Sequence, residues 1–185
     1  MRLAIIFSMF SICLLAAQKP DMSRSSDINR LAAIQFEKGA DTLCVFEKFD
    51  ENDPEMFHKY VISKKDGKTV LNQIGKPETI LSGQSVKELW EMIAGNMRSL
   101  KEEKMKFFSF KDGDEPVEVV SESSDIKEFK AYISGEIADF FMSGFDFQEY
   151  EIIDDKKVRN VNFEHNQKLT GKKIIEKLDS ITKDY

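Results

Sequence analysis

The chain has 185 residues, enough for one domain that buries a proper core. At 41% hydrophobic and 32% charged it has a globular composition, which excludes a disordered chain. Its formal net charge of −6 argues against nucleic-acid binding, which needs clustered Lys and Arg to neutralise phosphates.

Residues 1–17, MRLAIIFSMFSICLLAA, have a basic start at Arg2, an apolar run and small residues at Ala16 and Ala17. This is the pattern of a secretory signal peptide cut near Ala17. The run is too short, and too interrupted by Ser8 and Ser11, to span a bilayer, so no transmembrane span is expected after cleavage. Cys13 follows Ile12 and the apolar run continues beyond it, which does not suit lipid attachment. Cleavage removes one basic charge, so the remainder is more acidic still. Cys44 is then the single cysteine left, no internal disulfide can form, and there is no Asn-x-Ser/Thr sequon. An exported protein of the bacterial periplasm or cell exterior fits these features.

Residues 18–26 are polar, with Pro20 and three serines, and suit a flexible leader. Residues 27–185 are expected to form a single α+β domain. Residues 27–36 carry both helical and strand-like spacing. Thr42 to Phe49 is rich in β-formers and predicts a strand, in which Cys44 is a buried small hydrophobe. Phe57 to Ser63 and Lys68 to Ile74 flank Lys65-Asp66-Gly67, and Asp-Gly marks a tight hairpin turn.

Ser85 to Lys104 is the clearest helix. Val86, Leu89, Trp90, Ile93, Ala94, Met97 and Leu100 fall on one face of a 3.6-residue period, and Ser85 with Glu88 suggests a capping box. Lys106 to Phe110 and Val117 to Val120 form a second hairpin around Lys111-Asp112-Gly113. Asp125 to Ser143 predicts a second helix, because Asp125-Ile-Lys-Glu-Phe129 repeats the pattern of Ser85-Val-Lys-Glu-Leu89 and Gly135 falls under Gly95. A glycine inside a helix costs about 1 kcal/mol, so its recurrence suggests an internal repeat, 85–120 and 125–163. Gln148 to Ile153 and Val158 to Phe163 predict a third hairpin around Asp154-Asp155-Lys156, and Thr170 to Lys183 a last helix. The expected architecture is antiparallel β-hairpins alternating with amphipathic helices, in tandem ββα units, with the helices packed on the sheet.

Chemical motifs are sparse. Gly67-Lys68-Thr69 resembles the end of a phosphate-binding loop but lacks the required upstream glycine, since Ile62 stands there. Ser124-Asp-Ile-Lys127 matches a short serine acyl-enzyme pattern without its companion motifs. His58 and His165 have no HExxH or Cys partner to make a zinc site. Asp50-Glu51-Asn52-Asp53 opens like a calcium loop, but Glu55 stands where glycine is required. No catalytic, metal or cofactor-binding residue is therefore assigned, and no cofactor is implied.

The aromatic run Phe140-Phe-Met-Ser-Gly-Phe145-Asp-Phe147 stands out among the fifteen phenylalanines. Phe141, Phe145 and Phe147 are the candidate partner-binding residues, as an exposed aromatic patch at a helix end. Phe107, Phe108 and Phe110 form a second aromatic cluster, with one side expected to be exposed. The function expected is that of an exported, non-enzymatic, protein-binding or envelope-associated module. The alternatives are a binder of an apolar small ligand or lipid and, behind it, a hydrolase using His58 or His165.

Overall fold

A computed structural model of the protein describes residues 27–50, 57–120 and 125–185. The segments expected to form a signal peptide and a leader, the acidic stretch from Glu51 to Pro54, and Ser124 lie outside the described residues.

The fold is α+β. In chain order it comprises α1 (Asp27–Glu37), β1 (Thr42–Asp50), β2 (Phe57–Lys65), β3 (Lys68–Gln73), β4 (Thr79–Leu81) and α2 (Gln84–Glu102). Then come β5 (Ser109–Asp112), β6 (Glu115–Glu118), β7 (Asp125–Ile133), β8 (Glu136–Ser143) and a 3-10 turn (Phe145–Phe147). The chain ends with β9 (Tyr150–Ile153), β10 (Lys156–Arg159), α3 (Phe163–Gln167) and α4 (Thr170–Thr182).

A six-stranded sheet in the order β4-β3-β2-β1-β7-β8 organises the chain. Its neighbours are all antiparallel. Strand alternation sends Cys44, Phe46, Tyr60, Ile62, Phe129, Ala131 and Phe140 to one face, where α2 and α4 cover them. Leu89, Ile93, Leu100, Ile174, Ile175 and Leu178 supply the helical side of that core, all at most 1% exposed. The opposite face holds Leu43, Val45, Val61 and Tyr132, and α1 packs on it through Leu31, Ala32 and Phe36. The ambiguous segment 27–36 thus becomes a helix because an apolar half of a sheet face is there to receive it. Burial of a large apolar side chain contributes about 1.5–3 kcal/mol, far more than the small differences in propensity.

The stretch Asp125–Ser143 corrects the sequence reading. It is not a helix but the hairpin β7–β8, turning at Ser134 (φ 52°) and Gly135 (φ 80°). Its apolar residues fit both periods. Ile126, Phe129, Ile133 and Ile137 are spaced for a helix face, whereas Phe129, Ala131, Ala138, Phe140 and Met142 share one face of a hairpin. The Ser-Gly pair marks the turn, and β1 offers a full-length partner to β7. Gly95 lies within α2 whereas Gly135 makes a turn, so the two segments adopt different structures and their similarity was one of apolar spacing.

Elsewhere the elements follow the pattern with local differences. The three hairpins centred on Gly67, Gly113 and Asp154-Asp155 form, the last with both aspartates at positive φ. The Ser85–Glu88 capping box does not. Gly83 is the N-cap of α2 with no side-chain bond, and Glu88 instead accepts from Gln84 (3.0 Å) and from Lys177 of α4 (2.7 Å). Trp90 is core, 7% exposed, with its indole N–H donating to the Thr69 hydroxyl at 3.0 Å.

Candidate interaction surface

Two short ribbons, β5–β6 and β9–β10, stand apart from the main sheet. Two-stranded ribbons are marginal alone, so something must hold these. A buried amide and carboxylate network does. Asn166 is fully buried on α3. Its side-chain oxygen accepts the Lys106 amide (2.9 Å), while its nitrogen donates to the Lys106 carbonyl (2.7 Å) and the Asp146 carbonyl (2.9 Å). The Asp146 carboxylate, 4% exposed, accepts the Phe108 amide at 2.6 Å. Asn160, 2% exposed, donates to the Asp146 and Gln148 carbonyls at 3.0 and 3.2 Å and accepts the Asn162 amide at 2.9 Å. Asn162 donates in turn to the Phe107 carbonyl (2.9 Å). Unpaired, each of these buried groups would cost about 1–3 kcal/mol; paired, they fix the backbone of the 103–109 loop against the 3-10 turn and α3.

Apolar side chains on this rigid frame face outward. On β9, Tyr150 is 45% exposed and Ile152 69% exposed; two residues apart, they share one face of the ribbon. The Lys157 ammonium sits 4.2 Å from the Tyr150 ring centre. Val161, Val117 and Phe107 are exposed as well, and Val161 joins the β5–β6 ribbon through its amide on the Ser109 carbonyl (2.7 Å). Phe108, by contrast, is wholly buried and Phe110 half-buried, so the second aromatic cluster does expose one side, through Phe107.

The three candidate phenylalanines are not brought together. Phe141 is exposed, but it projects from β8 on the face opposite to Phe140 and the main core. The Phe145 ring lies 5.0 Å from that of Phe108, and Phe147 packs against the main core; both are half-buried. The helix end that would have gathered them does not exist, because β8 alternates its side chains. Tyr150 and Ile152 were missed because their strand carries apolar residues on both sides. The alternation that would mark an outer face is absent from Tyr-Glu-Ile-Ile.

The remaining chemical candidates are dispersed. Cys44 is a free thiol wholly inside the core, and burial pushes its pKa up, away from the reactive thiolate. His58 lies on β2 with its ring stacked on Tyr60, and His165 lies on α3 with Nε2 3.2 Å from the Lys104 carbonyl oxygen. Lys127 is committed to Asp179 at 3.0 Å. Among the described residues no group of three or more His, Cys, Asp or Glu is placed to hold a metal ion. Nor, among them, is any helix long and apolar enough to cross a membrane.

Asp179 of α4 bridges Lys48 of β1 (3.1 Å) and Lys127 of β7 (3.0 Å). Partial burial would raise its pKa, but the hydrogen bonds and charges of the two lysines outweigh it and hold the carboxyl below its ordinary value. Glu128, on the sheet face that α1 covers only in part, is shifted the other way. Burial comes first, then the charges of Glu47 and Asp139, and together they raise it.

No protein-family model matches the chain, and neither a curated protein nor a solved structure shows significant similarity to it.

Proposed function

We propose that the chain is an exported protein-binding module that engages its partner through the outer face of the β9–β10 ribbon, with Tyr150 and Ile152 as the anchors. The signal-peptide pattern of residues 1–17 supports export. The observation that carries the binding reading is Ile152, 69% exposed beside Tyr150 on a ribbon that buried asparagines hold in place. Water-facing large apolar groups on a rigid frame lose little conformational freedom on docking, and aromatic anchors dominate interface energetics. The acidic balance of the chain keeps it soluble while such groups remain exposed.

Photo-crosslinking from position 152 in the native envelope fraction tests this, with position 98 on the exposed side of α2 as control. A discrete adduct at 152, absent at 98 and abolished by Tyr150→Ser, is the expected outcome. Equal labelling from both positions, or an adduct indifferent to Tyr150, would sink the proposal.

A further inference from the structure

Gly67-Lys68-Thr69, dismissed above as a phosphate-binding motif, acquires a new setting in the fold. Thr69 of β3 pairs with Leu81 of β4, and the chain then runs through Ser82 and Gly83 directly into α2. The hairpin turn and the start of α2 therefore share one groove of about 500 Å³, within the usual range of ligand sites. Its walls include Leu81, Val86 and Trp90, with Ile80 at the rim 66% exposed. The bond from the Trp90 indole to Thr69 fixes the ring in that wall.

Lys64, Lys68 and Lys87 also line the groove. Lys64 is half-buried, and among the described residues neither its ammonium nor that of Lys68 has a hydrogen-bond or ion-pair partner. Lys87 reaches only Glu91, at 3.7 Å, in an exposed pair of little strength. Elsewhere in this acidic chain Lys48, Lys59, Lys127 and Lys177 are each matched to a carboxylate. Three lysines against the single carboxylate of Glu91, beside an apolar wall, form a local reversal of the protein's charge. The first turn of α2 adds amide donors with no side-chain cap and no acidic residue.

We infer that this groove binds an anionic single-chain amphiphile, its carboxylate or phosphate head held by Lys64 and Lys68 and its hydrocarbon chain laid along Ile80, Leu81 and Val86. The lysines supply charge complementarity for the head, and the apolar wall removes the tail from water. The site is separate from the ribbon surface and does not depend on it.

Trp90 is the single tryptophan of the chain and lines the groove, so its fluorescence reports occupancy directly. The full mature chain is titrated with dodecanoate and with dodecyl phosphate, both below micelle formation, and with dodecanol and inorganic phosphate as the tail-only and head-only probes. A saturable emission change with either amphiphile is expected. It should weaken about tenfold or more for dodecanol and in Lys64→Gln/Lys68→Gln, and inorganic phosphate alone should produce no change. Ile80→Glu, at an exposed position outside the core, should abolish the response while leaving the fold intact by circular dichroism. The inference is overturned if neither amphiphile shifts the emission, if dodecanol binds as tightly as the anions, if phosphate alone reproduces the change, or if both variants respond like the parent.

Discussion

Replacing Gly171 by alanine is expected to destabilise the domain, although alanine is the better helix former. Gly171 is the second residue of α4, where the helix crosses Phe140 of β8. A Cβ built there would stand 2.1, 2.2 and 2.5 Å from three ring carbons of Phe140. Carbon atoms in contact sit about 3.5 Å apart, so the gap is short by about 1.4 Å. The ring cannot swing away, being 4% exposed and stacked near Phe129 at 6.4 Å between centres. Overpacking costs about 1–3 kcal/mol, and the clash argues for the upper end. The gain from helix propensity is about 1 kcal/mol in a helix interior and smaller in the first turn. The net loss is therefore about 2 kcal/mol, or about 4–8 °C in Tm for a domain of this size. Urea unfolding of the protein, followed by Trp90 fluorescence, gives the difference directly. A cycle with Phe140→Leu isolates the contact: the Gly171→Ala cost should fall by about 1 kcal/mol or more once the ring is gone. If Gly171→Ala unfolds at the same urea concentration as the parent, or later, the close-approach argument is refuted.

Glu103 accepts the Thr170 and Gly171 amides, each at 2.7 Å, and so caps α4 from across the fold; Glu103→Ala should cost about 1–3 kcal/mol in the same urea assay. Asn166→Ala should cost about 3 kcal/mol and raise amide exchange over residues 106–109 before it affects the main sheet, which hydrogen-exchange mass spectrometry resolves. The lowered pKa of Asp179 means that its contribution is present above its ordinary value of 3.8 and is lost as pH falls through the lower folded value. The raised pKa of Lys127, whose contacts to Asp179 outweigh its burial, closes the window on the other side, above its ordinary 10.5. Asp179→Asn should flatten the acid limb of a stability–pH curve and leave the protein weaker at neutral pH. Glu128 carries the opposite sign: its raised pKa means that stability rises as pH falls through the folded value toward 4.5, so Glu128→Gln should stabilise the domain at pH 7 and do nothing below about pH 4. Equal midpoints for Glu128→Gln and parent at pH 7 would contradict that assignment.

Much of the fold was legible because it depends on local chemistry. Three turns announced themselves through Asp-Gly or paired aspartates, and α2 and α4 through an unbroken 3.6-residue stripe. The failure at Asp125–Ser143 has a physical cause. Apolar residues spaced to serve one face of a hairpin can also satisfy a helical period, and local spacing does not reveal that β1 needs a partner along its whole length. Register decides the matter: with Phe46 opposite Phe129 and Phe129 opposite Phe140, these three rings enter the same core. A helix over this segment would leave one edge of β1 open.

The candidate surface was harder to see than the fold, and for a different reason. Phenylalanine is conspicuous in a sequence, yet the phenylalanines here were drawn largely inward: Phe108, Phe129 and Phe140 are buried, and Phe145 and Phe147 half so. What singles out Tyr150 and Ile152 is not their own chemistry but the asparagines that hold their ribbon clear of the core. Asn160 and Asn166 look like ordinary loop residues in the sequence. Their role exists only once the chain from Lys104 to Ser109 has come to lie beside Asp146 and α3. A buried asparagine that binds backbone on two segments fixes relative position better than apolar contact does, because hydrogen bonds are directional and an unmet one is costly. The same logic covers Glu103, whose carboxylate sets where α4 begins and therefore where Gly171 meets Phe140. In this protein apolar burial holds the sheet and its helices together, and a few buried polar side chains determine which apolar groups are left to face outward.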